Sequence, residues 1–136
     1  MRGKKRLGMV AVALTALLAV PAALARPQVL QPALGCLKTA QTTAAMNDCV
    51  GKAYSTAKSE LADAYAKALA GKGLAPGDKR LLAAAEAKWI VFRDADCSYA
   101  ASLNAGGTLS AVVQGICLVR DTVDRANALQ DYLTTA

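Results

Sequence analysis

The sequence predicts an all-α protein: an antiparallel bundle of three main helices with a short N-terminal turn, cross-linked by two disulfides. Three observations predict it. Apolar residues recur at spacings of three and four through three long stretches, the period of one helix face. Breaks rich in Gly, Pro and Asn separate those stretches, and no segment sustains the period-two alternation of a strand. Four cysteines, Cys36, Cys49, Cys97 and Cys117, all follow an N-terminal apolar run.

That run gives the domain plan. Arg2, Lys4, Lys5 and Arg6 precede apolar residues 7–20, a stretch too short for a membrane span and suited to a signal-peptide core. Ala23 and Ala25 supply small residues at the −3 and −1 positions of a cleavage site after Ala25. The expected division is a signal peptide at 1–25 and one helical domain at 26–136, without a membrane span after processing. Ala33-Leu34-Gly35-Cys36 is a weak lipoprotein-like site, set apart from the apolar run by Pro27 and Pro32, so soluble export is expected. The formal charge is +6, but residues 1–25 hold four of the sixteen basic residues and none of the ten acidic ones. Processing leaves +2, too little to point to nucleic acid as a partner.

Along the chain, residues 26–35 carry two prolines and a glycine and read as an extended leader. A short helical turn follows at 36–41. Thr42 or Thr43 can cap the first long helix, whose stripe runs through Met46, Val50, Ala53, Ala57, Leu61, Ala64 and Ala68. Tyr54, Tyr65 and Leu69 widen it. Gly71 is the expected C-terminal cap near Ala70. Pro76-Gly77 completes the break, and Asp78 is the expected cap of the second helix.

The second helix is expected to turn Leu81, Leu82, Ala85, Trp89 and Phe92 inward and to run through Cys97 to Ser102. It holds the single Trp and the single Phe of the chain. Trp89, Arg93 and Cys97 succeed one another at i+4 and so share one line on the helix. The turn at Asn104, Gly106 and Gly107 leads to Thr108, the expected cap of the third helix. That helix carries Leu109, Val112, Ile116, Val119, Val123, Ala126, Leu129 and Leu133 on its apolar side, with Gly115 an interior exception to high helix propensity.

Up-down-up packing sets the cysteine pairing. The hairpin of the second and third helices brings Cys97 to Cys117, and folding the leader back along the first helix brings Cys36 to Cys49. Each bridge closes a loop short enough to contribute about 3 kcal/mol in the chain-entropy picture. An even cysteine count after an export signal reads as disulfides in an oxidising compartment, periplasmic or secreted. Zinc would need close Cys or His ligand spacings, and the chain has no CxxC and no His. No metal or other cofactor is expected.

The absence of His also removes the commonest general base. Asp94, Asp96, Asp121 and Asp124 could pair as hydrolase carboxylates, but Arg93, Arg120 and Arg125 stand close in sequence, and ion pairs are the simpler reading. Arg93 has two open roles that can coexist, stacking on Trp89 or pairing with an acid on a neighbouring helix. No enzyme is therefore expected.

A set of ordered residues resembles a known family: Cys36 with Ala40-Gln41-Thr42, then Met46-Asn47-Asp48-Cys49, Tyr54, and Leu61 with Tyr65. Trp89, Arg93, Asp94 and Cys97 form its strongest block, followed by Gly106-Gly107-Thr108, Cys117, Thr122, Arg125 and Leu129. The chain resembles the lysozyme inhibitor LprI-like N-terminal domain, from Cys36 to about Leu129. It departs at Glu86, where such domains often carry Gln, and at Ala62, where they often carry Asn. The resemblance implies an exported, disulfide-bonded helical domain with a protein partner in the envelope, and its name implies lysozyme as that partner. The alternative is a structural or stress-related envelope protein that binds another envelope protein. Asn104, Gly106, Gly107 and Thr108 are the candidate partner-binding residues, as an exposed irregular turn, with residues 72–79 a second irregular stretch. Trp89, Arg93, Asp94 and Arg125 are the expected structural motif.

Overall fold

A computed structural model describes residues 30–135, with side chains described over 35–133. The expected signal segment lies outside the described residues. Four helices follow in order: α1 (Leu30–Thr39), α2 (Thr43–Leu69), α3 (Pro76–Ser102) and α4 (Ser110–Thr135). No strand occurs among the described residues.

The expected extended leader is helical from Leu30. Pro32 falls in the first turn of α1, where a backbone N–H has no intrahelical acceptor in any case, so its missing donor costs nothing there. Thr42 caps α2, its hydroxyl accepting from the Ala45 N–H at 3.1 Å. Gly71 does not take the left-handed conformation expected of a cap glycine. Ala70 closes α2 in the right-handed region, and Gly73 makes the turn at φ 85°. Asp78 caps α3 from inside the first turn: Pro76 begins the helix, and the Asp78 carboxylate accepts from the Ala75 N–H at 2.9 Å. Half of the irregular stretch expected at 72–79 is therefore helix. Thr108 is no cap either. The 103–109 segment is a run of turns, and α4 starts at Ser110.

The up-down-up order makes α2 and α4 parallel, and this pair is the principal helix contact. Val50 and Ala57 of α2 cluster with Val112, Val119 and Val123 of α4. Further along, Leu61, Ala64 and Ala68 meet Ala126 and Leu129. The small residues let the two axes run close, and one contact depends on having no side chain at all. A Cβ placed on Gly115 would overlap the Cγ1 of buried Val50. The sequence-level helix exception at Gly115 is thus a packing requirement.

Both cysteine pairings are as expected. Cys36–Cys49 ties α1 to α2 across a Cα separation of 5.9 Å, and Cys97–Cys117 ties α3 to α4 across 5.4 Å. No helix among the described residues is long and apolar enough to cross a membrane.

Gly115→Ala separates packing from propensity. In a solvent-facing helix position this change adds roughly 0.5–1 kcal/mol of stability. Here the overlap with Val50 should reverse the sign, with a loss of about 1–3 kcal/mol. Denaturant unfolding reads the difference, and an unchanged or raised midpoint would contradict the close α2–α4 approach.

Candidate functional site

α3 attaches to the bundle in a way its apolar residues do not predict. Leu81, Ala85 and Phe92, expected inside, face solvent, Leu81 at 71% and Phe92 at 63% exposure. The buried residues of α3 are Glu86, Arg93, Cys97 and Ala101, with Leu82 and Trp89 partly buried beside them. Leu109 and Leu133, expected on the apolar side of α4, are also exposed. The helix is rotated to put its cysteine and its charged line inside. Cys97 is fully buried and must meet Cys117, and stepping back along the helix from Cys97 gives Arg93, Trp89 and Glu86.

Glu86 makes the cross-helix ion pair of this seam. The Arg125 Nε donates to its Oε2 at 2.8 Å, with both side chains close to fully buried. Arg93 pairs with its own neighbour Asp94, Nε and Nη2 donating to Oδ1 at 2.9 and 2.7 Å, and not with an acid on another helix. Its guanidinium lies 5.0 Å from the Trp89 ring centre and 5.8 Å from that of Tyr54 on α2. The Arg125 guanidinium lies 5.9 Å from the centre of the same Trp89 ring. Of the motif expected from sequence, Trp89, Arg93 and Arg125 converge on this seam, and Asp94 sits at its exposed edge. Glu86 was missed. Its signal was present, one turn before Trp89 on the line that Arg93 and Cys97 continue.

A groove of about 430 Å³ opens beside the seam, lined by Trp89, Phe92, Asp96, Asp121, Asp124 and Arg125. Asp121 is committed to its surroundings: Arg120 Nε donates to it at 2.9 Å, and both disulfide sulfurs lie near its Oδ2. Asp96, Cys97, Cys117 and Asp121 cluster within 4.8 Å in the manner of a metal-ligand set. The two sulfurs are joined to each other, and a disulfide offers no thiolate. A second groove, of about 480 Å³, lies between α1 and α2 beside the Cys36–Cys49 bridge.

The turn expected to bind a partner stands at the open end of the α3–α4 hairpin. Asn104, Gly106, Gly107 and Thr108 are all exposed. Gly106 takes φ 83°, the Gly107 N–H donates to the Asn104 carbonyl at 3.1 Å, and the Ser110 hydroxyl donates to the Ala101 carbonyl at 3.0 Å. The Cys97–Cys117 bridge fixes the two helices just beneath. The turn is therefore presented on a rigid base.

The geometry defines a small, disulfide-stapled helical domain with an anchored, exposed hairpin turn. The lysozyme inhibitor LprI family matches residues 36–129, and the chain belongs to that family. No curated protein and no solved structure matches the chain.

Two substitutions test the electrostatics. Glu86→Ala leaves the Arg125 guanidinium in a nearly dry seam without its acceptor, at a cost of about 3 kcal/mol. Glu86→Gln keeps a carbonyl acceptor and should lose less than half of that. Chemical denaturation of both variants provides the check, and equal midpoints for wild type and Glu86→Ala would remove the pair from the account. On α2, burial raises the Glu60 carboxyl above its ordinary value, and its Oε2 has no hydrogen-bond partner among the described residues. A carboxyl raised by folding adds stability below its unfolded pKa and loses that contribution as pH rises through the folded value. Glu60→Gln should accordingly melt higher than wild type at pH 7, and the gap should close below about pH 4. Melting curves across that range decide it, and a gap that widened on acidification would give the opposite sign.

Proposed function

We propose that this protein is an exported, non-enzymatic inhibitor of lysozyme, acting in the periplasm or as a secreted protein. What carries the reading is membership of the lysozyme inhibitor LprI family over residues 36–129. Two disulfides fit an oxidising compartment. In our reading the mature chain begins at Arg26, after the Ala23 and Ala25 cleavage pattern. The chain contains no His, and Asp94, Asp121 and Glu86 are engaged with Arg93, Arg120 and Arg125 respectively. Such a protein acts by occupying a surface of its target rather than by altering it.

The contact we propose is the 104–108 turn: Asn104, Gly106, Gly107 and Thr108. It offers backbone and hydroxyl groups at low ordering cost, since the disulfide and the Ser110–Ala101 hydrogen bond already restrict it. A net charge of +2 after processing gives no long-range attraction to a cationic lysozyme, so affinity has to come from a local fit.

A cell-wall lysis assay with oxidised, exported protein tests both parts, and the intact mass of that sample reports whether it starts at Arg26. Inhibition of a c-type or g-type lysozyme at micromolar protein is the expected result. Rebuilding residues 104–108 as a Gly/Ser segment of equal length should weaken it at least tenfold. No inhibition of either lysozyme type would overturn the function, and full inhibition by the rebuilt variant would overturn the surface.

A further inference from the structure

The rotation that buries Glu86, Arg93 and Cys97 leaves α3 with a second face. Leu81, Ala85, Lys88, Phe92, Tyr99 and Leu103 fall within one narrow sector of the helix, about a third of a turn from the buried line. All are exposed, Tyr99 at 66% and Leu103 at 69%. Ile90 and Val91 are exposed elsewhere on the helix, but Leu81, Phe92, Tyr99 and Leu103 gather on this one face, and such a gathering marks an interaction surface.

About Phe92 this face carries a leucine at each end and opposite charges one turn to either side. Leu81 and Leu103 each stand eleven positions away, Ala85 and Tyr99 seven, and Lys88 and Asp96 four. We propose that this face is a two-fold interface with a second copy of the chain, the two α3 helices antiparallel and centred on Phe92. In that register Phe92 meets the partner's Phe92 at the centre, and Leu81 meets the partner's Leu103. Ala85 leaves room for the partner's Tyr99, and Lys88 comes level with the partner's Asp96. A two-fold contact uses one patch twice, so each match occurs twice. Lys88 is exposed and makes no ion pair among the described residues. Asp96 has only a 3.9 Å contact with the half-exposed Arg120. Opposite charges one turn to either side of Phe92 complement each other when two copies of the helix lie antiparallel. The matched span, from Leu81 to Leu103, is about 33 Å of helix. One helix pair is a small interface, so the dissociation constant should be on the order of micromolar.

Sedimentation velocity on exported, oxidised protein from about 1 to 500 µM tests the proposal. The expected result is a concentration-dependent dimer. Phe92→Asp should be monomeric across the range with unchanged helical circular dichroism, because Phe92 is a surface residue. Lys88→Asp and Asp96→Lys should each weaken the dimer at least tenfold, and the double reversal should restore it to within a few-fold. A wild-type monomer at all concentrations overturns the proposal. So does a dimer that survives Phe92→Asp, or a double reversal that restores nothing. A monomer whose Phe92→Asp variant loses lysozyme inhibition assigns the face to lysozyme instead. The 104–108 turn lies outside this face, so a negative result here leaves the inhibition reading standing.

Discussion

Away from the Cys97–Cys117 bridge, the attachment of α3 to the rest of the molecule centres on Trp89. Its ring rests against the α2–α4 cluster of Leu61, Ala64, Ala68, Ala126 and Leu129. The same ring lies under two guanidinium groups, Arg93 at 5.0 Å and Arg125 at 5.9 Å. Each such contact contributes from about 0.5 to 2 kcal/mol, more as water is excluded. Arg93 carries the connection on to Tyr54 of α2, and Arg125 to Glu86 of α3. One aromatic ring therefore serves as an apolar plug for the core and as a platform for two cations. In an Ala-rich domain it supplies the large contact area that alanines cannot.

The seam this produces is unusual in what it buries. Glu86 and Arg125 are costly to desolvate, and their mutual hydrogen bond offsets that cost without making the pair a large source of stability. A seam of Leu against Leu would hold as well or better. The charged pair and the ring instead define one rotation and one register of α3 on α4. The disulfide acts in the same direction: with Cys97 fully buried against Cys117, the helix cannot turn its outer stripe inward without breaking a covalent bond.

The sequence made the helices and the cysteine pairing legible for separate physical reasons. The three-four spacing of α2 and α4 is a genuine core stripe, so Val50, Ala57, Leu61, Val119, Val123 and Leu129 were found directly. Loop length left the two local disulfides as the simplest pairing. The rotation of α3 was not legible from hydrophobicity, because Leu81 and Phe92 are more apolar than Glu86 and Arg93 yet lie outside. The line through Trp89, Arg93 and Cys97 gave the true inner face, and a ranking by side-chain polarity gave the false one. Element ends failed on finer points. Pro32 is harmless in a first turn, and Thr108 lies two residues before the helix it was expected to cap.

The two faces of α3 are consequences of one choice. A helix whose apolar and charged residues are both ordered in lines can bury either line. Burying the charged one is favourable only where partners wait in fixed positions, and here Arg125, Tyr54 and Cys117 wait on two other helices. The apolar line is then left in water at a cost that the domain alone does not recover. The α2–α4 pair, with α1 stapled to it, already holds both core clusters, and α3 adds to that burial chiefly through Trp89 and Leu82. Its own attachment is strongest at the disulfide end and rests on Trp89 and Glu86 further back. A helix held in this manner is suited to present surfaces rather than to fill a core: an anchored turn at its C-terminal end, and an apolar stripe along its length.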